Sequence, residues 1–121
     1  MSELVVTFTR EQIARYAEAS GDRNPIHLDD DFARSVGLPG LIAHGMLQMG
    51  LLARVAGDPS RLRRLGCRFS GMVKPGDTVT FRSSQEGERV ELSAVNQDGQ
   101  PVLTRGVAEL RPAPEEDLTT D

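Results

Sequence analysis

The sequence predicts an α+β fold in which an antiparallel sheet packs around one central helix. Two observations support this prediction. Residues 41–56 are apolar or small on almost every side, which is typical of a buried helix. From Leu62 onward the apolar period shortens toward two and turn signals recur, which indicates antiparallel strands. The 121 residues are enough for one domain with a modest core.

A strand and a helix are predicted to open the chain. Leu4 to Phe8 is a short β-branched run that is typical of a strand. Thr9 and Gln12 have the spacing of a capping box, so a helix should begin there. Gly21 is expected to end this helix, because glycine readily adopts the left-handed conformation found after helices.

A loop and a second, short helix should follow. The residue before a proline avoids the helical region, and Pro25 therefore predicts an extended loop over residues 22–28. Acidic residues then favour a helix over residues 29–36, because negative charge stabilises a helix N-terminus. The three successive acids, Asp29 to Asp31, resemble a metal cluster only superficially, and helix N-terminal charge explains them better.

The second half of the chain predicts four consecutive antiparallel strands separated by turns. Their expected bounds are 61–70, 77–86, 88–96 and 101–111. Residues 1–111 should form a single domain. Residues 112–121 are acidic and lack apolar periodicity, so a disordered tail is expected there.

Composition excludes several classes of protein. Four of the 18 acidic residues lie beyond residue 114, so the remaining 14 balance the 14 basic ones and nucleic acid is not an expected partner. There is no apolar run long enough for a membrane helix and no secretory signal pattern, which predicts a cytoplasmic location. Cys67 is the only cysteine and is expected to be a small buried side chain. Aromatic residues make up only 4%, which favours a dimer that enlarges the shared core.

Three motifs, in order, resemble one known family. The segment Ser-Gly-Asp-Arg-Asn-Pro-Ile-His-Leu from Ser20 to Leu28 is similar to the hydratase motif of the MaoC-like family. Ile42 to Leu47 resembles the motif of that family's central helix, and Lys74 to Val79 resembles its strand-connecting turn. The resemblance spans most of residues 13–110 and implies the hot-dog fold, a sheet wrapped around a central helix.

The resemblance also implies an activity, namely (R)-specific hydration of trans-2-enoyl thioesters or dehydration of (R)-3-hydroxyacyl thioesters. The acyl carrier would be coenzyme A or an acyl carrier protein, with no metal or redox cofactor. A homodimer is expected, with each active site near the subunit interface, and a heterodimer with a related chain is the alternative. Two other functions stay open: a non-catalytic acyl-thioester-binding subunit of a heterodimer, and a hot-dog thioesterase.

Asp22 and His27 are the catalytic candidates. Histidine exchanges protons near neutral pH, and a carboxylate accepts a hydrogen bond from water. By resemblance the two hold and activate the catalytic water, while Asn24 orients the loop or the water. The resemblance further implies that the Gly45 N–H polarises the thioester carbonyl, which suits an early N–H of a helix. Which of Asp22 and His27 transfers the proton to C2 is open, as are acyl chain length, carrier and direction.

Six further residues are weaker candidates for substrate contacts. His44 could contact substrate, but a hydrogen bond that holds the helix start is the favoured interpretation. Met46 could line an acyl tunnel, although core filling explains it better. Four arginines could meet phosphates or simply cover a solvated strand face. They are Arg61, Arg63, Arg64 and Arg68.

Overall fold

One antiparallel sheet of five strands carries the fold in the computed structural model, which describes residues 2–112. The strands are Ser2–Thr7 (β1), Leu62–Phe69 (β2), Thr78–Glu86 (β3), Arg89–Val95 (β4) and Pro101–Leu110 (β5). The helices are Arg10–Ser20 (α1), Asp30–Ser35 (α2) and Gly45–Ala53 (α3), with 3-10 turns at Pro25–His27 and Pro59–Arg61. All five predicted strands and all three predicted helices are present.

The order of the strands differs from the prediction. The order is β1-β3-β4-β5-β2, so β3, β4 and β5 are consecutive neighbours but β2 pairs with β5 at one edge. The prediction of four consecutive strands was therefore wrong for β2. The segment between β2 and β3 is held at both ends by distant backbone: Gly71 donates to the Val102 carbonyl, and Gly76 donates to the Phe8 carbonyl. These bonds fix the connection between β2 and β3 as it crosses the sheet, so the two strands do not form a hairpin.

The central helix α3 is shorter than the predicted 41–56. The backbone N–H groups of the three residues after Gly40 donate to the Asp30 carboxylate, the Ile26 carbonyl and the Val73 carbonyl. Because tertiary partners already occupy these donors, the segment stays non-helical and the helix begins only at Gly45. Sequence periodicity cannot distinguish the two cases, since both bury apolar side chains.

The helix α3 packs on the sheet through one face. Leu52 is fully buried in a core that includes Phe8, Phe81 and Leu103. Met46, on α3, is exposed, so the prediction of a helix buried all round was wrong for the single chain. Core filling does not explain Met46, because a single layer of sheet covers only one side of the helix.

The ends of α1 and α2 are as predicted. Thr9 caps α1 by accepting from the Gln12 N–H, and Gly21 follows the helix with φ at 79°. Asp29 caps α2. The tail was predicted over residues 112–121, and all of it beyond residue 112 lies outside the described residues. None of the helices between residues 2 and 112 combines the length and apolarity needed to cross a lipid bilayer.

Asp30 ties α2 to two neighbouring segments. One carboxylate oxygen accepts from the Leu41 N–H at 3.0 Å, and the other lies 2.9 Å from the Arg10 guanidinium. The Leu41 N–H, and then Arg10, hold the pKa of Asp30 below its ordinary value of 3.8. Asp29 caps α2, as the placement of the acids at a helix N-terminus predicts, whereas the contacts of Asp30 with Leu41 and Arg10 are tertiary.

We expect Asp30→Asn to flatten the acid limb of the stability profile. A carboxyl whose pKa is lower in the folded chain stabilises the fold fully above its unfolded pKa, and that stabilisation is lost as pH falls through the folded pKa. Urea unfolding between about pH 5 and pH 2.5 should therefore show a steeper fall in midpoint for the wild type than for the variant. Asp31→Asn is the control, since that side chain is almost fully exposed. If the urea midpoints of all three proteins fell in parallel as the pH is lowered, the stabilising role of the Asp30 carboxylate would be contradicted.

Candidate active site

The loop between α1 and α2 carries Asp22, Asn24 and His27. The Asn24 Oδ1 accepts from the Ile26 N–H at 3.2 Å, and the Leu28 N–H donates to the Pro25 carbonyl at 3.1 Å. These bonds form a 3-10 turn, so the prediction of an extended loop was wrong beyond Asn24. Proline suits the first position of such a turn because its φ is preset and it has no N–H to satisfy.

His27 is buried and held in one orientation. Its Nδ1 lies 2.8 Å from the carbonyl oxygen of Ile42. Because a carbonyl only accepts hydrogen bonds, Nδ1 must carry the proton. The neutral ring then leaves a lone pair on Nε2, and that atom faces the Asp22 carboxylate.

Asp22 and His27 face each other across a gap. The Asp22 Oδ2 and His27 Nε2 atoms are 4.0 Å apart, which is too long for a direct hydrogen bond. Both atoms are acceptors when the histidine is neutral, so one water between them could donate a hydrogen bond to each. The Asp22 side chain is exposed, which leaves this gap open to solvent.

His44 lies beneath this pair. Its Nε2 is 2.9 Å from the backbone oxygen of Asp22, and its ring stacks on His27 with centroids 3.8 Å apart. Tyr16 meets it edge-on. The predicted hydrogen bond of His44 exists, but it holds the loop, because the side chain makes no capping bond to α3. Burial lowers the pKa of His44, and His27 lowers it further against the opposing effect of Asp22.

Gly45 begins α3, and none of the hydrogen bonds found among the described residues engages its N–H. It lines an open pocket of about 340 Å³ together with Ile42, Gln48, Phe69 and neighbouring residues. The Phe69 ring crowds this glycine, because an added Cβ would stand only 3.1 Å from its nearest carbon. The absent side chain therefore leaves room for Phe69 at a helix start that offers a free donor.

The four arginines, which could meet phosphates or cover a solvated strand face, lie at and along β2. Arg61 donates to the backbone oxygen of Arg111, and this bond ties the beginning of β2 to the end of β5. The other three, Arg63, Arg64 and Arg68, are exposed along β2. None of the four lines the pocket at Gly45.

Three partners in the site were missed from the sequence. The Ile42 carbonyl orients His27, the Phe69 ring packs against Gly45, and Tyr16 borders His44. A backbone carbonyl has no signature in a sequence, and Phe69 reaches the site only through the folding of β2. Tyr16 is the only tyrosine of the chain, a modest signal that could have been noticed.

Asp22, His27 and His44 could be taken for a metal site, because their potential ligand atoms lie within 4.8 Å of one another. The geometry of the rings opposes this. Stacked imidazoles carry their in-plane lone pairs in nearly parallel planes, with an interplanar angle of 22°. A cation about 2 Å from one ring nitrogen would thus lie far outside the plane of the other ring. The two rings do not converge on one ion.

A model of the family described as "MaoC like domain" matches residues 2–104. The chain belongs to the MaoC-like family. The three motifs noted in the sequence lie within this match, and the predicted membership is confirmed.

Similar proteins carry hydratase names. A "Probable enoyl-CoA hydratase 2" of Dictyostelium discoideum is 33% identical over 86% of this MaoC-like chain. The (R)-hydratase from A. caviae involved in PHA biosynthesis superposes with a TM-score of 0.78 at 26% identity over 93% of both chains. An R-hydratase of Pseudomonas aeruginosa gives a TM-score of 0.76 at 32% identity, over 95% of this chain and 80% of that one. These structures confirm the hot-dog fold.

The MaoC-like chain spans only part of the length of the curated relatives that it matches. It covers 38% of the Dictyostelium protein, and it covers 14% of a "Peroxisomal multifunctional enzyme type 2" of Mus musculus.

We expect the two histidines to adopt opposite neutral tautomers. His27 should carry its proton on Nδ1 and His44 on Nε2, since each of these atoms faces a backbone carbonyl. Nitrogen-15 NMR of histidine-labelled protein measures this directly, and with only two histidines one substitution assigns the spectrum. The same tautomer at both positions would contradict the geometry.

Proposed function

We propose that this MaoC-like chain is an (R)-specific hydratase of trans-2-enoyl thioesters, or the dehydratase of the reverse reaction. The observation that carries the proposal is the 4.0 Å gap between the Asp22 carboxylate and Nε2 of His27, a ring whose Nδ1 is bonded to the Ile42 carbonyl. The (R)-hydratases among its structural relatives support the reaction class and its stereochemistry. Coenzyme A or an acyl carrier protein carries the acyl group.

The first step activates water. A water in the gap donates one hydrogen bond to Asp22 Oδ2 and the other to His27 Nε2, which leaves an oxygen lone pair free to attack C3. Asn24 acts indirectly, because its side-chain oxygen stabilises the turn that contains His27. Two acceptors on one water orient it as well as activating it.

In the second step, negative charge develops on the thioester oxygen and is then neutralised by transfer of a proton to C2. As the water oxygen bonds to C3, the C2=C3 electron pair moves toward the thioester, and negative charge develops on its oxygen. The free Gly45 N–H at the start of α3 stabilises that charge. His27 takes the proton from the attacking water and returns it to C2, which restores the carbonyl and the neutral ring. Every atom of the water thus ends in the product.

The proposed reaction needs no metal or redox cofactor. The thioester supplies the electron-withdrawing group, and oxidation states balance between enoyl thioester plus water and hydroxyacyl thioester. The stacked rings of His27 and His44, which do not converge on a cation, agree with this chemistry. A cytoplasmic location stays a prediction from the sequence.

In this proposal the chain works as a homodimer whose second copy closes the pocket. Met46, Phe69 and Met72 are 61%, 50% and 49% exposed around Gly45, and apolar side chains of this size seldom cluster on a free surface. Phe69 is the last residue of β2, an edge strand with unpaired backbone groups, and Met72 follows it closely in the chain. A second copy would cover the exposed apolar side chains and the edge of β2. It would also shield the acyl chain from water.

The catalytic assignment predicts a large loss of turnover in Asp22→Asn and His27→Gln. Each variant keeps a side chain of similar size but replaces a proton-accepting group with a neutral amide that is not a base, so kcat for crotonyl-CoA should fall about 10²–10⁴-fold. The assay follows loss of the conjugated thioester absorbance, and chiral chromatography identifies the 3-hydroxybutyryl product. The matched control is Asp31→Asn, on the exposed surface of α2.

Three outcomes would contradict this proposal. Undiminished turnover in both variants would remove the residue assignment. Release of free thiol would identify a thioesterase. Tight thioester binding without turnover, or turnover that appears only with a second polypeptide, would favour the non-catalytic subunit of a heterodimer.

The dimer proposal predicts that Phe69→Glu dissociates the protein. A carboxylate placed in an apolar interface must lose its hydration, so sedimentation should shift from the dimer to the monomer, with a loss of turnover. Val36→Glu changes a similarly exposed apolar residue on another surface and should stay dimeric. A wild-type monomer with full turnover would overturn this proposal.

A further inference from the structure

His44 contacts or adjoins each group that the proposed reaction uses. Its Nε2 bonds to the backbone of Asp22, and its ring face stacks on His27. Its peptide bond supplies the N–H of Gly45. The side chain is only 1% exposed, so His44 lies behind the reacting groups and not among them.

The tautomer of His44 follows from its partner. The Asp22 carbonyl accepts only, so Nε2 carries the proton and the neutral ring has its lone pair on Nδ1. That Nδ1 is buried and has no hydrogen-bond partner among the described residues. A cationic His44 would place an unpaired N–H donor there, which is costly in a buried site.

The groups that surround His44 agree with an uncharged ring. His27 stacks on it from the 3-10 turn at a centroid distance of 3.8 Å, and the two rings would repel each other if both were cationic. Asp22 from the loop favours the charged form, while Tyr16 and Gln48 contribute neutral groups from α1 and α3. The sealed Nδ1 cannot reach water, so His44 is not a second base.

Asp22 needs an anchor. Its other hydrogen bonds stay within the loop and its helix end, from its own N–H to the Ser20 hydroxyl and from the Asn24 N–H to its Oδ1. Among the described residues, the bond from His44 is the one that links Asp22 to another part of the fold. Without it, the exposed loop could move the carboxylate relative to His27.

We propose that His44 is a positioning residue for the hydration, an uncharged donor that holds Asp22 at its working distance from His27. The proposal rests on the proposed function for its kinetic consequence. A positioning role differs from a purely structural one in the part of the side chain that matters. The Nε2 donor holds Asp22 in place, whereas the ring only fills space.

Two substitutions separate these parts. His44→Phe keeps a flat ring against His27 but lacks the donor, whereas the amide of His44→Gln reaches approximately the position of Nε2 and keeps a donor. Misplacement of a catalytic group by about 1 Å can cost about 10²-fold in rate, so kcat of His44→Phe should fall about 10–100-fold. His44→Gln should recover most of that loss. KM should change little in either variant, because the pocket at Gly45 is untouched.

The outcomes are decisive in each case. A folded His44→Phe with wild-type kcat would overturn the proposal, as would equal loss in both variants with matching thermal destabilisation. If neither variant folds, the wild-type tautomer decides, and a proton on Nδ1 of His44 at neutral pH would overturn it.

Failure of the proposed function would look different. If the wild type turns over no enoyl thioester, amide hydrogen exchange at residues 21–24 still tests the anchor. Exchange should accelerate in His44→Phe and remain near wild type in His44→Gln. Equal exchange in all three proteins would overturn the positioning role without reference to activity.

Discussion

The hydrogen bond from the buried ring of His44 to the Asp22 backbone joins the two halves of the site. On one side lies a loop whose residues are mostly exposed and whose other bonds are local. On the other lies α3, packed on the sheet through Leu52. A net contribution of about 1 kcal/mol is ordinary for such a bond, yet it decides where the carboxylate stands. The orientation of His27 is set separately, by the Ile42 carbonyl.

A second constraint is the non-helical segment that precedes α3. Its backbone donors bind the Asp30 carboxylate, the Ile26 carbonyl and the Val73 carbonyl, so it is fixed from three directions. The Ile42 carbonyl is consequently available to His27, and α3 begins at Gly45 with an unused N–H. A longer helix would have consumed these groups in its own hydrogen bonds. The proposed chemistry therefore depends on the non-helical conformation of the segment before Gly45.

The site tolerates an unfavourable feature. The unpartnered Nδ1 of His44 costs on the order of 1–3 kcal/mol if it stays unsatisfied. Residues retained at such a cost concentrate at functional sites, where the local arrangement matters more than local stability. The exposed Met46 and Phe69 beside the same helix have a comparable meaning, since a single chain gains nothing from leaving them in water.

The sequence by itself determined the elements and the catalytic candidates. Caps at Thr9 and Asp29, the glycine that ends α1 and the periodicity of the strands are local signals, and each places its element within a few residues. The three motifs identified the family. Only the tertiary structure decided that β2 pairs with β5, that α3 begins at Gly45, and that His44 lies beneath Asp22 and His27. These features depend on backbone donors and carbonyls from distant segments, and every residue carries the same backbone groups, so their pairing leaves no trace in the order of side chains.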